Sequence, residues 1–548
     1  MSADLLKRFL EQELQRVMDM NLDQLIVLGY LIAVVAFGCW FVFSSRNSED
    51  FMSAGQSIPG WALGLSIFGS YVSTLSFLGN PAAAYMGNWN LLVSSFAAPL
   101  GAIAAIFFFI PFYRRSGEVS AYQHLEHRFG PWARTYGVIC FILLQVVRLG
   151  MITQLLGTVV APLFGWETNS MIIFLGILIM IYPMLGGTEG VIWAGVIQSI
   201  VLILGVIACL YFVVTGVPGG IPEIIEVGRN VADQGPAGKF GLGSFQFNLF
   251  IASFWVVLLQ GLNEHVRNFA IDQSYIQRYI TAKTDGDASR SVWYGILLYM
   301  PMAALFFFIG TALYAYVQVH PDWLPLTDPD NAANPFPQKK VFQYFISTVL
   351  PVGLRGLVIA AIASAAMDSN LTCMATLFLK DVYQRYLDPK CTERRSMLIL
   401  HVSTLVFGVM STGFALLSAK LPGVLDTWFT WGGIASGGIL GLFLLGVLCP
   451  RTTSRHAGLS VILGVVVTLW MTITLPDVWS SVNEFLGQPE DVSAVTINIP
   501  GLGKEVGIAS PFHKLFIPFA GTIVIFVAGA ILGLLFGRKQ SENSTGIQ

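Results

Sequence analysis

Charge is what this chain has least of: charged residues make up 11% of its 548 residues, under half of the roughly 25% found in soluble domains. Too few charges remain to cover a water-facing surface, which excludes a soluble globular protein. The formal net charge is −2 and no basic tract occurs, so nucleic acid is not expected as a partner. The 6 cysteines show no paired spacing. Cys39, Cys140, Cys209, Cys373 and Cys449 lie in or at the ends of apolar stretches and Cys391 in a basic loop. That excludes a disulfide framework or thiolate metal cluster and leaves buried small hydrophobes. Walker, HExxH and GxSxG motifs are missing, so the chain is read as not an enzyme. Soluble domains are missing too: the longest polar intervals, Pro218–Leu242, His320–Lys340 and Pro476–Phe512, are too short to fold alone. No obligatory protein partner is expected.

Apolar residues are abundant, at 55% with a mean hydropathy of +0.68. The fold class is therefore all-α integral membrane. With roughly 20 apolar residues per crossing, spans are predicted at about 25–44, 60–84, 91–113, 133–161, 170–186, 190–216, 245–268, 293–317, 344–379, 396–418, 425–449, 456–475 and 511–536, about thirteen transmembrane helices. The first apolar run, Leu25–Phe43, exceeds a signal-peptide core and lacks a small-residue cleavage site. It is expected to stay as a spanning helix. Basic residues cluster in alternate loops: Arg114, Arg115, Arg128 and Arg134, then Arg278, Lys283 and Arg290, then Lys380 to Arg395. Cytoplasmic loops carry such excesses, so the N-terminus is expected outside and the C-terminus in the cytoplasm, in the cell (inner) membrane. Lys7, Arg8 and Arg16 before the first span run against this orientation.

One span is irregular. Ser66–Tyr85, SIFGSYVSTLSFLGNPAAAY, is interrupted by hydroxyls, glycines and a proline. Irregular backbone survives in hydrocarbon only where it is buried or lines a wet cavity. Discontinuous helices with freed carbonyls and helix ends hold ions and solutes in secondary transporters. A second segment, Phe254–Ala270, is also polar in its middle, at Asn263, Glu264 and His265, and is read as an equivalent broken helix. Each would open one half of a five-plus-five inverted repeat. The expected division is a tail and extra helix over 1–50, a first repeat over 51–218, a second over 219–450, and two further helices with a cytoplasmic tail over 451–548.

Two lone charges lie deep in apolar spans. Arg148, in ICFILLQVVRLGMITQLLG, must be balanced: by a substrate carboxylate, which its bidentate guanidinium suits, or by carbonyls or an acidic residue of another helix. Asp368 shares its stretch with Ala365, Ser369 and Thr372, a spacing that suits a cation held by carboxylate and hydroxyl oxygens. Desolvated, it could carry a proton instead; paired with Arg148, it would be structural. Ser73, Thr74 and Ser76 in the broken helix could bond to their own backbone, but lie clustered between Gly69, Gly79 and Pro81. His401 is read as a packing residue.

The stretches GSYVSTLSFLGNP, AYQHLEHRFG, GGTEGVIWAGVIQ and IDQSYIQRYITAK, with the helix ending in FLKDVY, together resemble the solute:sodium symporter family over roughly residues 25–475. The resemblance implies a LeuT-type fold of two inverted five-helix repeats, with one N-terminal and two C-terminal extra helices, working by alternating access. An arginine placed like Arg148 is most similar to that of the sodium/sialic acid symporters, where it receives the substrate carboxylate. Carried onto this sequence, the resemblance puts Ser73, Ser76, Ser95, Arg148 and Asn263 around the substrate. It makes Gly69 and Val72 carbonyl donors to sodium, with Na+ as the coupling ion; aligned forward from Arg355 and Gly356 it adds Ala365, Asp368 and Ser369, with Thr372 on the same face, whereas aligned backward from Asp381, Val382 and Tyr383 it leaves Ala365 and Ala366 without a hydroxyl pair. Tyr71 and Ser95 stand where those carriers have threonine and glutamine. The family turn W-T-D reads Trp193, Ala194, Gly195 here, without its acidic residue. The expected function is sodium-coupled import of a small organic solute, a carboxylated sugar such as sialic acid, across the bilayer. The alternatives are a proton-coupled or uncoupled carrier of a sugar or organic acid, with Asp368 titrating, and a transporter-like solute sensor.

Overall fold

The computed structural model describes residues 21–41, 47–117, 119–231, 234–328, 331–366, 370–419, 432–433, 436, 438–475, 478–479, 496–498, 505–507 and 510–537. The helices that matter here are α1 (Leu22–Trp40), α2 (Gly60–Tyr71), α3 (Thr74–Met86), α4 (Pro131–Phe164), α5 (Thr168–Thr215), α6 (Phe254–Ile271), α7 (Gln273–Thr281), α8 (Asp285–Val319), α9 (Leu354–Ser364), α10 (Asn370–Leu377), α11 (Glu393–Ser418), α12 (Ile439–Leu448), α13 (Ser454–Ile473) and α14 (Ile517–Phe536). A further apolar helical stretch, Trp89–Ser116, lies between α3 and α4. Strands are confined, among the described residues, to two short antiparallel pairs, Thr327–Asp328 with Asn331–Pro335 and Thr496–Asn498 with Glu505–Gly507.

Every expected span contains helix, and fewer than thirteen of them stand as separate long helices among the described residues. Among the described residues 8 helices are long and apolar enough to cross a membrane, or 9 when the bent pair α2–α3 is taken as one span. The shortfall has physical causes. Spans 170–186 and 190–216 run together as the 48 residues of α5, which at about 1.5 Å per residue is twice a bilayer's thickness. The two parts meet at Gly187, whose φ of 58° and ψ of −157° only glycine adopts without strain. The span expected over 344–379 is divided into α9 and α10. Polar residues lower the hydropathy of α6.

The helices pack as one body around a shared apolar core. α8 lies along both α2 and α3, and α5 packs on α1, α2, α9 and α11. The core runs through Leu63, Ile67, Phe68, Phe77, Ile296 and Phe306. Ion pairs fasten the ends. Asp23 at the start of α1 pairs with Arg355 of α9 and accepts from the Gly353 and Gly356 amides at 2.7 and 2.8 Å. At the end carrying the basic loops, Arg134 bonds Glu126 and Asp381, Arg385 bonds Glu126, and Arg114 bonds Asp285. No disulfide joins the 6 cysteines; Cys140, Cys209 and Cys373 are buried and Cys39, Cys391 and Cys449 half-buried.

Candidate functional site

The break between α2 and α3 is where the site begins. Val72 and Ser73 leave the helix with extended backbone, ψ 93° and 167°, and the two arms are bent by 53°. Ser73 caps α3, its hydroxyl accepting the Ser76 amide at 3.4 Å, as a serine N-cap does. The last turn of α2 presents carbonyls without helical partners, a negative end that attracts cations. Arg148 of α4 meets it: Nη2 donates to the Ser70 carbonyl at 2.8 Å. Arg278 of α7 meets it from another side, donating to Ser70 Oγ at 2.6 Å, Ser66 Oγ at 3.1 Å and the Ser274 carbonyl at 2.7 Å. Thr74 at the start of α3 donates to the Ile362 carbonyl of α9 at 3.1 Å. That bond ties the break to α9.

Beside the break lies a polar cavity of about 140 Å³. Ser73, Ser76, Ser95 and Arg148 line it, so four of the five expected substrate residues share one space. Ser95 bonds the Tyr299 hydroxyl at 3.0 Å. Tyr71 stands in an aromatic cluster, its ring 4.8 Å from Tyr299, 5.4 Å from Tyr275 and 5.5 Å from His265. The opposite lining comes from α6, through Gln260, Glu264, Arg267 and Asn268. Gln145 donates to the Asp272 carboxylate at 3.2 Å, so the polar face of α4 reaches the start of α7.

Asn263, the fifth expected substrate residue, does not line this cavity. It lines a smaller neighbour of about 30 Å³, together with Ser436 and Pro518. Its side-chain oxygen is buried with no hydrogen-bond partner among the described residues. Gln260, Glu264 and Arg267 line both spaces.

A third, smaller space of about 10 Å³ lies on the other side of the break, room for about one water-sized particle. Gly69 and Ala365 both line it, with Ser66, Ser70, Ser364 and Arg278. Two of the residues expected at sodium are thus brought together. Val72 and Thr372 are buried but line none of these spaces. Asp368 and Ser369 lie outside the described residues. Gly195 also lines the 10 Å³ space, and a Cβ there would lie 3.2 Å from Ser66 Oγ.

The comparisons with known proteins agree with this geometry. The model of the sodium:solute symporter family matches residues 51–464. The chain belongs to that family. It is a membrane transporter and not an enzyme. Relatives include a sodium/sialic acid symporter of Aliivibrio fischeri, 28% identical over 82% of this chain and 88% of its own length, and one of Proteus mirabilis, 28% identical over 81% and 88%. Human sodium-coupled monocarboxylate transporter 1 is 24% identical over 82% of this chain and 73% of its own length. Among solved structures, the substrate-bound outward-open state of a Na+-coupled sialic acid symporter superposes with a TM-score of 0.80 at 26% identity, covering 95% of this chain and 99% of that one. A closed nucleobase-cation-symport-1 transporter shares the fold, with a TM-score of 0.50 at 13% identity over 90% and 96%. The arrangement is the LeuT-type one.

Two expectations about this symporter need correction. α6 is not broken: it runs as helix from Phe254 to Ile271. The polar residues that suggested a break sit on an intact helix. Gly261 lets α6 cross the Trp89–Ser116 stretch, since a Cβ there would lie 2.3 Å from the Ser94 carbonyl oxygen, while Asn263 and Glu264 line cavities and His265 packs against Tyr71. Arg278, counted among loop charges that set orientation, is instead 3% exposed. Gln260, Arg267, Asn268 and Asp272 were not singled out from the sequence. The signal was present, because Gln260, Glu264, Arg267 and Asn268 follow an i, i+4, i+7, i+8 spacing, a single helix face.

Proposed function

We propose that this symporter imports a small carboxylated sugar of the sialic acid class by alternating access, coupled to sodium. One observation carries the reading: Arg148 lies at the wall of a polar cavity of about 140 Å³ beside hydroxyls of the broken helix. A guanidinium held there by the Ser70 carbonyl is oriented for a carboxylate, and a bidentate pair supplies both geometry and strength. Ser73, Ser76 and Ser95 then address the sugar, with Asn263 at the far end. Two relatives named for sialic acid transport add support.

Sodium, as co-substrate, is read at Gly69, Val72, Ala365 and Ser369, with Asp368 and Thr372 beside them. The shared space against Gly69 and Ala365 supports this reading, as does the family. Sodium bound there would stabilise the outward-open state, and solute would then close the outer path. The proposal includes the division into repeats over 51–218 and 219–450, an inner-membrane location, an outside N-terminus and a cytoplasmic C-terminus.

A second reading, a carrier uncoupled from sodium, is favoured by Arg278. Its guanidinium lines the same small space, a fixed cation next to where the sodium would sit, and the family's acidic residue is Gly195 here. Uptake of labelled sialic acid into proteoliposomes separates the two. Accumulation driven by an inward sodium gradient at fixed pH is expected; uptake unchanged when choline replaces sodium supports the uncoupled carrier.

A further inference from the structure

The charged face of α6 has no task in the reading above. Four residues on it face the cavity, and two of them carry opposite charges one turn apart: Glu264 and Arg267. Among the described residues these two make no ion pair with each other or with any other group. Glu264 accepts one hydrogen bond, from Gln260 at 2.8 Å, although a carboxylate has about four acceptor positions. Arg267 donates from Nη2 to Asn268 at 3.1 Å, while its Nε is buried without a partner among the described residues. Asn263, 5% exposed, adds a buried oxygen without a partner in the adjoining space. Buried polar groups left in this state cost stability unless a ligand or water completes them.

We propose that Glu264 and Arg267 form a second subsite that takes the hydroxylated end of the solute, and so select a polyhydroxylated acid over an alkyl monocarboxylate. The proposal rests on the reading that Arg148 takes the carboxylate. A sugar hydroxyl both donates and accepts, so neighbouring hydroxyls satisfy Glu264 with an O–H and Arg267 Nε–H with an oxygen. An alkyl tail satisfies neither and leaves two charged groups desolvated. An ammonium group suits Glu264 but is repelled by Arg267 one turn away. Because Gln260, Glu264 and Arg267 line the 30 Å³ space as well, a polyol chain passing them reaches Asn263 and Ser436. That gives Asn263 its contact with solute at the tail end of the site.

The test uses the full-length purified protein in nanodiscs and measures affinity for three probes: N-acetylneuraminate, its analogue shortened by the two terminal hydroxylated carbons, and butyrate. Hydrogen bonds to charged groups are worth about tenfold each or more. The parent protein is therefore expected to bind N-acetylneuraminate at least about tenfold more tightly than the shortened analogue, and butyrate most weakly. Glu264→Gln and Arg267→Gln are expected to reduce that ratio to within about threefold while changing affinity for the shortened analogue little. Arg267→Lys, which keeps the charge but loses Nε–H, checks that a loss is not one of folding and is expected to fall between. Ratios unchanged in all three variants overturn the subsite, as does a parent that prefers butyrate. Arg148→Ala reads the other proposal separately: full affinity for all three acids in that variant overturns the carboxylate assignment, whatever the α6 variants do.

Discussion

Where α2 gives way to α3, two residues leave the helix and backbone carbonyls become available. α6 lines the same cavity without losing a turn, and its polarity comes from side chains. The broken arm is electrically neutral, made of Ser70, Ser73 and Ser76, and its helix ends are met by cations from elsewhere. Arg148 bonds the Ser70 carbonyl, and Lys239 bonds the Tyr85 carbonyl near the end of α3 at 2.5 Å while lying 4.2 Å over the Tyr314 ring. The intact helix carries its own charges, Glu264 and Arg267. Inside a membrane a polar site can be made by freeing backbone or by paying the desolvation of charged side chains, and this protein does both on facing walls. A freed carbonyl suits a bare cation and the cation-bearing arginine; a helix face with charged heads suits a larger, polyhydroxylated ligand.

The comparison breaks most visibly if α6 tolerates a proline. Val266→Pro removes an interior hydrogen bond of an unbroken helix and is expected to cost about 3 kcal/mol or more, enough to abolish folded protein by size-exclusion chromatography. Pro81→Ala in α3 is expected to leave a monodisperse protein. Equal tolerance at both positions would mean the two helices do not differ as described. Next in size, Arg148→Ala should lower solute uptake by about 100-fold, the scale of a lost charge-assisted pair, with only a modest fall in unfolding temperature. A smaller effect is expected at the tie between the break and α9: Thr74→Val deletes the hydrogen bond to the Ile362 carbonyl and should cost about 1–2 kcal/mol, read by thermal unfolding.

A separate effect concerns Lys239. Burial lowers its ammonium to about 8 from the usual lysine value of 10.5. With its folded-state value depressed, the unfolded chain binds the proton more readily between about pH 8 and 10.5, so stability rises with pH across that window. Lys239→Met should flatten this rise; an identical profile in the variant would remove Lys239 from the account.

Fold class and the first half of the site were legible because they rest on local signals. Long apolar runs announce membrane helices, and hydroxyls with Gly69, Gly79 and Pro81 announce irregular backbone between Ser66 and Tyr85. Arg148 was legible because a lone charge in hydrocarbon is expensive. Asn263, Glu264 and His265 were misread as a second break, since polar side chains that face a cavity from an intact helix look in sequence like those of an interrupted one. Arg278 was misread because orientation rules treat every basic residue between apolar runs as solvated, whereas its neighbours Ser66 and Ser70 are over 200 positions away in sequence. Arg267 was missed for a related reason. Its significance lies in which cavity it faces, which only the packing of α6 decides.

The account turns on a carboxylate meeting Arg148, and ligand-induced stabilisation measures that contact directly, because a ligand raises unfolding temperature by mass action. Thermal unfolding of the purified protein, with sodium present, is followed with N-acetylneuraminate, with its methyl ester, and with each in Arg148→Ala. The account predicts that the free acid raises the unfolding temperature, that the ester does not, and that the variant responds to neither. An ester that stabilises as strongly as the acid, and does so equally in Arg148→Ala, would contradict it.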